Sequence, residues 1–280
     1  MGSDEFVRER LRAFLAEDIG SGDLTTAGLP QLACATARAR LTAREPGVLA
    51  GLEFALEVFR LLDPGVQVLP PRLEDGQPME QGTVLAVLAG NTAALLQGER
   101  TALNLLQRLS GIATTTRAFV DALRGSETVL LDTRKTTPGF RFFEKYAVRI
   151  GGGRNHRMGL YDGVMLKDNH LAAAGDIGTA VRRVRERAPV TVRVEVEAET
   201  LDQVREALQA GADIIMLDNM GVESMRQAVA LIGGKARVEA SGRIRQEDLP
   251  ALAGLGLDYI SASAMMTRSR WLDIGLDFIA

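Results

Sequence analysis

Thr128-Val129-Leu130-Leu131-Asp132-Thr133-Arg134-Lys135 passes within one residue from an apolar run to ionic and hydrogen-bonding groups. The same change occurs where Met165-Leu166 meets Lys167-Asp168-Asn169-His170, where Met216-Leu217 meets Asp218-Asn219, and where Val238-Glu239 leads into Ala240-Ser241-Gly242. Short β-rich runs at 128–131, 163–166, 191–196, 213–217, 237–239 and 258–261 are separated by helical segments. Their spacing of roughly 21 to 35 residues predicts a parallel sheet, and about six such units favour a barrel or partial barrel over a bundle or sandwich. Polar residues at the C-terminal ends of the strands mark the catalytic rim of such a barrel. Four separate segments converge on it.

The first hundred residues read differently. Phe6, Val7, Arg10, Leu11, Phe14 and Leu15 form an i, i+3, i+4 stripe, and residues 35–41 alternate small apolar with polar side chains, so this part is α+β. Asn91-Thr92 resembles a cap opening a long helix through Leu95, Leu96, Leu103, Leu106 and Leu109. Ser110-Gly111 is expected to interrupt it before a second helix that runs to about Leu123 and is closed by Gly125-Ser126.

Composition narrows the function. Lys+Arg at 33 against Asp+Glu at 36 gives no global attraction to nucleic acid or anionic membranes, so any affinity for anions is local. The lone cysteine, Cys34, forms neither an intramolecular disulfide nor a cysteine metal cluster, as expected of a cytoplasmic protein. No apolar run approaches the roughly 18 residues of a membrane span, and the acidic start Met1-Gly2-Ser3-Asp4-Glu5 is unlike a signal peptide. The expectation is a protein neither exported nor anchored.

Arg134, Lys135, His156, Arg157 and Lys167 lie at strand ends or in the loop Gly151-Gly152-Gly153-Arg154-Asn155-His156-Arg157. Such a concentration of donors suits a strongly anionic substrate, because arginine forks match carboxylate and phosphate oxygens and lysine supplies a mobile charge. Taken singly, each is as readily a solvated surface charge. The two histidines are too few for an all-histidine metal site. The triple glycine serves either a turn or the close approach of backbone N–H groups to an anion. Residues 191–197 alternate strictly, putting Arg193, Glu195 and Glu197 on one face and the valines on the other. Charges inside a barrel need partners: Glu197 and Asp218 are candidates for ribose hydroxyls or Mg²⁺, the alternative being an internal ion-pair network. Ser241-Gly242 is a weak phosphate-cradle signal, since most such pairs are turns.

These strand ends, in this order, resemble the quinolinate phosphoribosyltransferases. The resemblance is carried by Asp132-Thr133-Arg134-Lys135-Thr136-Thr137-Pro138-Gly139, the 151–157 loop, Lys167-Asp168-Asn169-His170 and Leu217-Asp218-Asn219. It extends to Glu17-Asp18-Ile19-Gly20-Ser21-Gly22-Asp23-Leu24-Thr25-Thr26, Glu99-Arg100-Thr101-Ala102-Leu103-Asn104 and Leu109-Ser110-Gly111-Ile112-Ala113-Thr114, so it spans nearly the whole chain. It implies an α/β protein: an N-terminal α+β open sandwich over 1–112, an incomplete TIM-like barrel over 113–268, and a tail, 269–280, packing back on the first domain. It also implies a homodimer in which each sandwich covers its partner's barrel mouth.

Carried over by position, Arg134, His156, Arg157 and Lys167 hold quinolinate's carboxylates, with Arg100 reaching in from the other subunit. Lys135 serves phosphoribosyl pyrophosphate; Glu197 and Asp218 serve ribose and Mg²⁺; Ser241 and Gly242 begin the 5′-phosphate loop. The roles expected to be catalytic fall to Lys135, Lys167, Glu197 and Asp218. Two positions depart from the pattern: Arg243 stands where a glycine or other small residue is usual, and Ser263 where the second phosphate-loop element usually has glycine, which bears on the phosphate contacts. The implied reaction is phosphoribosyl transfer to quinolinate with decarboxylation, in the synthesis of NAD. A relative with a different acceptor, such as the molybdate-operon proteins of this family, and a non-catalytic barrel that senses a sugar phosphate are the alternatives. The intact Lys-Asp-Asn-His element argues against the first and the acidic pair against the second.

Overall fold

The computed structural model describes residues 4–279. Met1, Gly2 and Ser3 of the acidic start, and Ala280 of the expected tail, lie outside the described residues. The chain forms two compact units, one of Met1–Thr115, Phe142–Gly151 and Ser269–Ala280, the other of Thr116–Arg141 and Gly152–Arg268.

In the first unit, α1 (Asp4–Ile19) buries Leu11 and Leu15, α2 (Leu24–Ala27) is capped by the Asp23 carboxylate, and β1 (Thr36–Ala43) turns Ala39, Leu41 and Ala43 inward. After β2 (Gly47–Val48), α3 (Leu52–Leu62) buries Leu52, Ala55, Leu56, Val58 and Phe59. β3 (Gln67–Leu69), β4 (Pro78–Met79) and β5 (Val84–Asn91) follow. The main sheet is antiparallel in the order β12-β1-β5-β3, its edge strand β12 (Ile274–Ile279) coming from the end of the chain.

α4 (Thr92–Ala122) is one continuous helix of 31 residues, so Ser110-Gly111 does not interrupt it. The pair is there for packing. The Ser110 hydroxyl accepts the Ala50 N–H at 3.0 Å, and a Cβ at position 111 would overlap the Arg270 carbonyl oxygen. Glycine's helix cost, roughly 1 kcal/mol, is smaller than the cost of that clash. Gly111→Ala is therefore expected to destabilise the protein by about 2–3 kcal/mol, measured as a fall in denaturation midpoint. α5 (Arg141–Ile150) brings buried Glu144, whose carboxylate accepts from Arg108 at 2.7 Å; Arg108 also donates to Ser269. Phe54, Phe142, Phe143 and Tyr146 add an aromatic cluster, with Phe54 and Phe143 edge to face at 5.0 Å.

The second unit is a six-stranded parallel sheet ordered β6-β11-β10-β9-β8-β7: β6 (Val129–Leu131), β7 (Val164–Leu166), β8 (Val194–Ala198), β9 (Ile214–Asp218), β10 (Arg237–Ser241) and β11 (Tyr259–Ser261). Successive strands are neighbours and the last returns to the first, as in a barrel, but β6 and β7 do not pair. On the β6 side, Arg154 forms a single parallel bridge with Leu131. The wall is an incomplete α/β barrel. Its helices are α6 (Asp168–Ala174), α7 (Ile177–Arg185), α8 (Leu201–Gln209), α9 (Val222–Ile232), α10 (Leu249–Ala253) and α11 (Ala264–Thr267). Asp176 caps α7, and Thr200 forms a capping box with Gln203 on α8.

Strand β8 starts later than its alternating pattern predicts. Residues 189–192 close a turn in which Val192 N–H donates to the Pro189 carbonyl, and the strand begins where Val194 N–H donates to the Asp213 carboxylate. Arg193 is thus exposed and off the strand, while Glu195 and Glu197 remain on it. Among the described residues no helix is long and apolar enough to cross a membrane.

Candidate active site

The C-terminal ends of the parallel strands surround a cavity of ≈ 380 Å³. Its organiser is Asp132, fully buried just past β6, whose carboxylate accepts from the His156 N–H at 2.9 Å and the Asn155 side-chain amide at 2.5 Å. Arg154 N–H donates to Leu130 and its carbonyl accepts from Asp132 N–H, so the loop lies against β6 like a short extra strand. The glycine triplet serves the turn into it: Gly152 adopts φ +101°, and none of the three lines the cavity.

Arg134, Lys135, Arg157 and Lys167 all line this mouth. Arg157 is tied by its guanidinium to the Gly163 carbonyl at 3.0 Å. Burial holds its pKa below the usual arginine range, as does the neighbouring Arg134, against the pull of Glu195 and Asp162. Two mutually repelling guanidiniums, one partly desolvated, are a pair whose repulsion an anion would relieve. Across the mouth, Lys167 Nζ lies 3.1 Å from Glu197 Oε2. Burial raises the Glu197 carboxyl above its ordinary range; Lys167 opposes this, while Asp218 and Asp168 add to it. Asp218 ends the adjacent strand and lines the same cavity.

His156 also lines the mouth, but both of its ring nitrogens are engaged: Nδ1 accepts the Arg157 N–H at 2.7 Å and Nε2 lies 3.1 Å from Glu195 Oε2. His170 Nδ1 accepts the Lys167 N–H at 3.0 Å, a local tie at the start of α6.

Ser241, Gly242 and Arg243 form the opposite lip and continue into a second cavity of ≈ 140 Å³, which Ser263 lines and Lys135 shares. Gly242 is demanded by space, since a Cβ would stand 2.5 Å from Asn219 Oδ1. Arg243 has φ +52°, the left-handed region that favours glycine. An L-residue there costs about 1–2 kcal/mol. Arg243→Gly is expected to raise stability by about 0.5–1 kcal/mol, the relief being partly offset by glycine's freedom in the unfolded chain. If the guanidinium serves a phosphate, the same variant raises the KM for the phosphorylated substrate; melting and steady-state kinetics read the two effects separately.

The mouth thus brings together every site residue expected from sequence except two. Ser263 lies in the adjoining cavity, and Arg100, exposed on α4, lines neither. Several residues had no assigned role: Met165 and Met216, which supply an apolar wall suited to a flat ring, and the buried Asp132, Glu239 and Ser261. Strand periodicity is the signal that finds them, since Met216 pairs in register with both Glu197 and Glu239.

Comparison with known proteins covers nearly the whole chain. Residues 23–110 match the N-terminal domain model of quinolinate phosphoribosyl transferase, and residues 112–277 match its C-terminal domain model. A probable nicotinate-nucleotide pyrophosphorylase [carboxylating] from Synechocystis is 49% identical over 96% of this chain and 91% of its own length. One with the same description from Bacillus subtilis is 47% identical over 97% and 93%. The crystal structure of NadC from Streptococcus pyogenes superposes with a TM-score of 0.94 at 43% identity, over 100% of this chain and 99% of that one.

Proposed function

Because the chain belongs to the quinolinate phosphoribosyltransferase family, we propose that it transfers phosphoribose from phosphoribosyl pyrophosphate to quinolinate, with loss of carbon dioxide, to give nicotinate mononucleotide and pyrophosphate. The protein is a phosphoribosyltransferase of NAD biosynthesis. The observation that carries the reading is the mouth itself, where Arg134, Lys135, Arg157 and Lys167, from three separate segments, face two carboxylates at adjacent strand ends.

Arg134, Arg157 and Lys167 hold the two carboxylates of the acid, and the Met165–Met216 wall seats its ring. His156 belongs to the same end of the site, through the loop that its ring braces. Lys135, Ser241, Gly242, Arg243 and Ser263 take the phosphates of the second substrate. The pyridine nitrogen attacks C1 of the ribose as pyrophosphate leaves, and positive charge grows on the sugar. Glu197 and Asp218 offset that charge, while the lysines offset the negative charge gathering on the leaving group. Fixing both reactants replaces a bimolecular encounter by an oriented one. The ring nitrogen, now cationic, stabilises the electron pair left on the adjacent carbon as carbon dioxide departs, so the substrate is its own electron sink.

The acidic pair fits a hard divalent cation. It offers only oxygen donors, and Asp218 raises the proton affinity of Glu197, the repulsion that a bound cation relieves. Glu197 and Asp218 would hold Mg²⁺, which supplies charge neutralisation for pyrophosphate. The working assembly we propose is a homodimer in which Arg100 completes the partner's mouth, and its compartment is the cytoplasm, in keeping with the exposed free Cys34.

The test is incubation of the purified protein with quinolinate, phosphoribosyl pyrophosphate and Mg²⁺, with nicotinate as control acceptor. Nicotinate mononucleotide and carbon dioxide are expected from quinolinate alone. Equal use of nicotinate would overturn the acceptor.

A further inference from the structure

Beneath the mouth lies a group that the reaction above does not use. Glu239, in the middle of β10, is fully buried, and neither of its carboxyl oxygens makes a hydrogen bond. Three polar groups face it from the elements around it. From β8 comes Glu195 and from β11 the Ser261 hydroxyl, both close enough to act on the proton of Glu239 in opposite directions although neither meets it in good hydrogen-bond geometry. From the loop comes His156, with Nε2 at 3.7 Å from Glu239 and 3.1 Å from Glu195. On β9 the residue in register is the apolar Met216. Among the described residues, His156 is the sole basic group within ion-pair distance of either carboxyl. Its Nδ1 accepts the Arg157 N–H, so Nε2 carries the one ring proton facing the two acids, and it lies nearer Glu195.

One N–H does not satisfy two buried carboxylates. An ionised carboxylate with no donor is disfavoured in so dry a place, and the group keeps its proton instead. Burial, and then the Glu195 carboxylate, push the Glu239 carboxyl up to about 8, against the pull of His156 and Ser261.

We infer that Glu239 is a positioning residue that works as a neutral acid: its proton leaves Glu195 alone to brace His156, and its ionisation opposes binding of a doubly negative substrate in the mouth above. The inference rests on the reading of quinolinate as acceptor. By reciprocity, a dianion entering the mouth raises the proton affinity of Glu239, so the protein takes up a proton as the acid binds near pH 8.

The experiment is calorimetric titration with quinolinate at pH 8 in two buffers of different ionisation heat, on the parent and on Glu239→Gln, with quinolinate KM measured from pH 7 to 9.5. The parent is expected to take up as much as about half a proton, its carboxyl being half ionised there, and its KM to rise about fivefold relative to the variant. Glu239→Gln, which keeps the volume but does not ionise, should lose both. Binding with equal uptake in the two proteins overturns the inference. Absence of quinolinate binding at pH 7 in either protein overturns the acceptor instead.

Melting without substrate decides the state of Glu239 by itself. The folded pKa is raised from the ordinary 4.5 to about 8, so the stability this group contributes is full below 4.5 and lost as pH rises through about 8. The parent should lose melting temperature relative to the variant between pH 5 and 8. Parallel melting curves, or a cation held by His156, Glu195 and Glu239 that keeps the carboxyl ionised, contradict the proposal.

Discussion

Lys167→Ala is expected to lower kcat/KM for quinolinate by about 10³-fold, near 4 kcal/mol of transition-state stabilisation. Lys167 stands at the start of α6 with Nζ 3.1 Å from Glu197 Oε2, so its loss does two things at once. The mouth loses a cation facing the anionic acceptor, and Glu197 loses the group that opposes its upward shift. With burial, Asp218 and Asp168 left to act, the Glu197 carboxyl takes its proton at higher pH. The acid limb of the kcat/KM profile should therefore move upward, an effect that a merely loosened fold does not produce. Lys167→Arg keeps the charge but spreads it over a planar fork, and should restore part of the activity with the acid limb back near its parent position. A loss under tenfold, or an unmoved acid limb, would remove Lys167 from the reaction.

Mixing two inactive proteins should produce an active one. Arg100 is exposed on α4, makes no ion pair among the described residues and lines neither cavity, yet it lies within the Glu-Arg-Thr-Ala-Leu-Asn segment that resembles the family. If it serves the partner's mouth, Arg100→Ala and Lys167→Ala are each nearly inactive as homodimers. A mixed dimer carries both lesions in one mouth and neither in the other. Random exchange of equal amounts gives about one quarter of the parent activity, since half of the dimers are mixed and half of their mouths are intact. Confirmed mixed dimers with no recovered turnover would place Arg100 outside the shared site.

The parts of the site that were legible in sequence share a physical reason. A parallel strand buried on both faces is an apolar run, so the residue that ends it stands out when it is charged. Asp132, Lys167 and Asp218 each follow such a run directly. Two features were illegible because a local pattern had a distant cause. Ser110-Gly111 has the composition of a helix break, but the reason for both residues is backbone at Ala50 and Arg270, which no local window contains. Residues 191–197 alternate without fault, yet Pro189 holds the first of them in a turn, and Arg193 leaves the face that the alternation gives it. Glu239 was visible within a β-rich run but carried no meaning, because its weight comes from His156 and Glu195 on other segments.

The missing β6–β7 pairing has a consequence for how such proteins change over time. The Leu131–Arg154 bridge is the one strand-type pairing of the 152–163 segment among the described residues, its other ties being side-chain bonds such as those to Asp132, whereas the strands bearing Glu197, Asp218 and Ser241 are laced together along their length. Insertions and deletions in that segment cut no ladder. On the reading proposed above, a lineage can therefore vary the loop that carries Arg157, one of the groups holding the acid, while inheriting the strands that bear Glu197, Asp218 and Ser241.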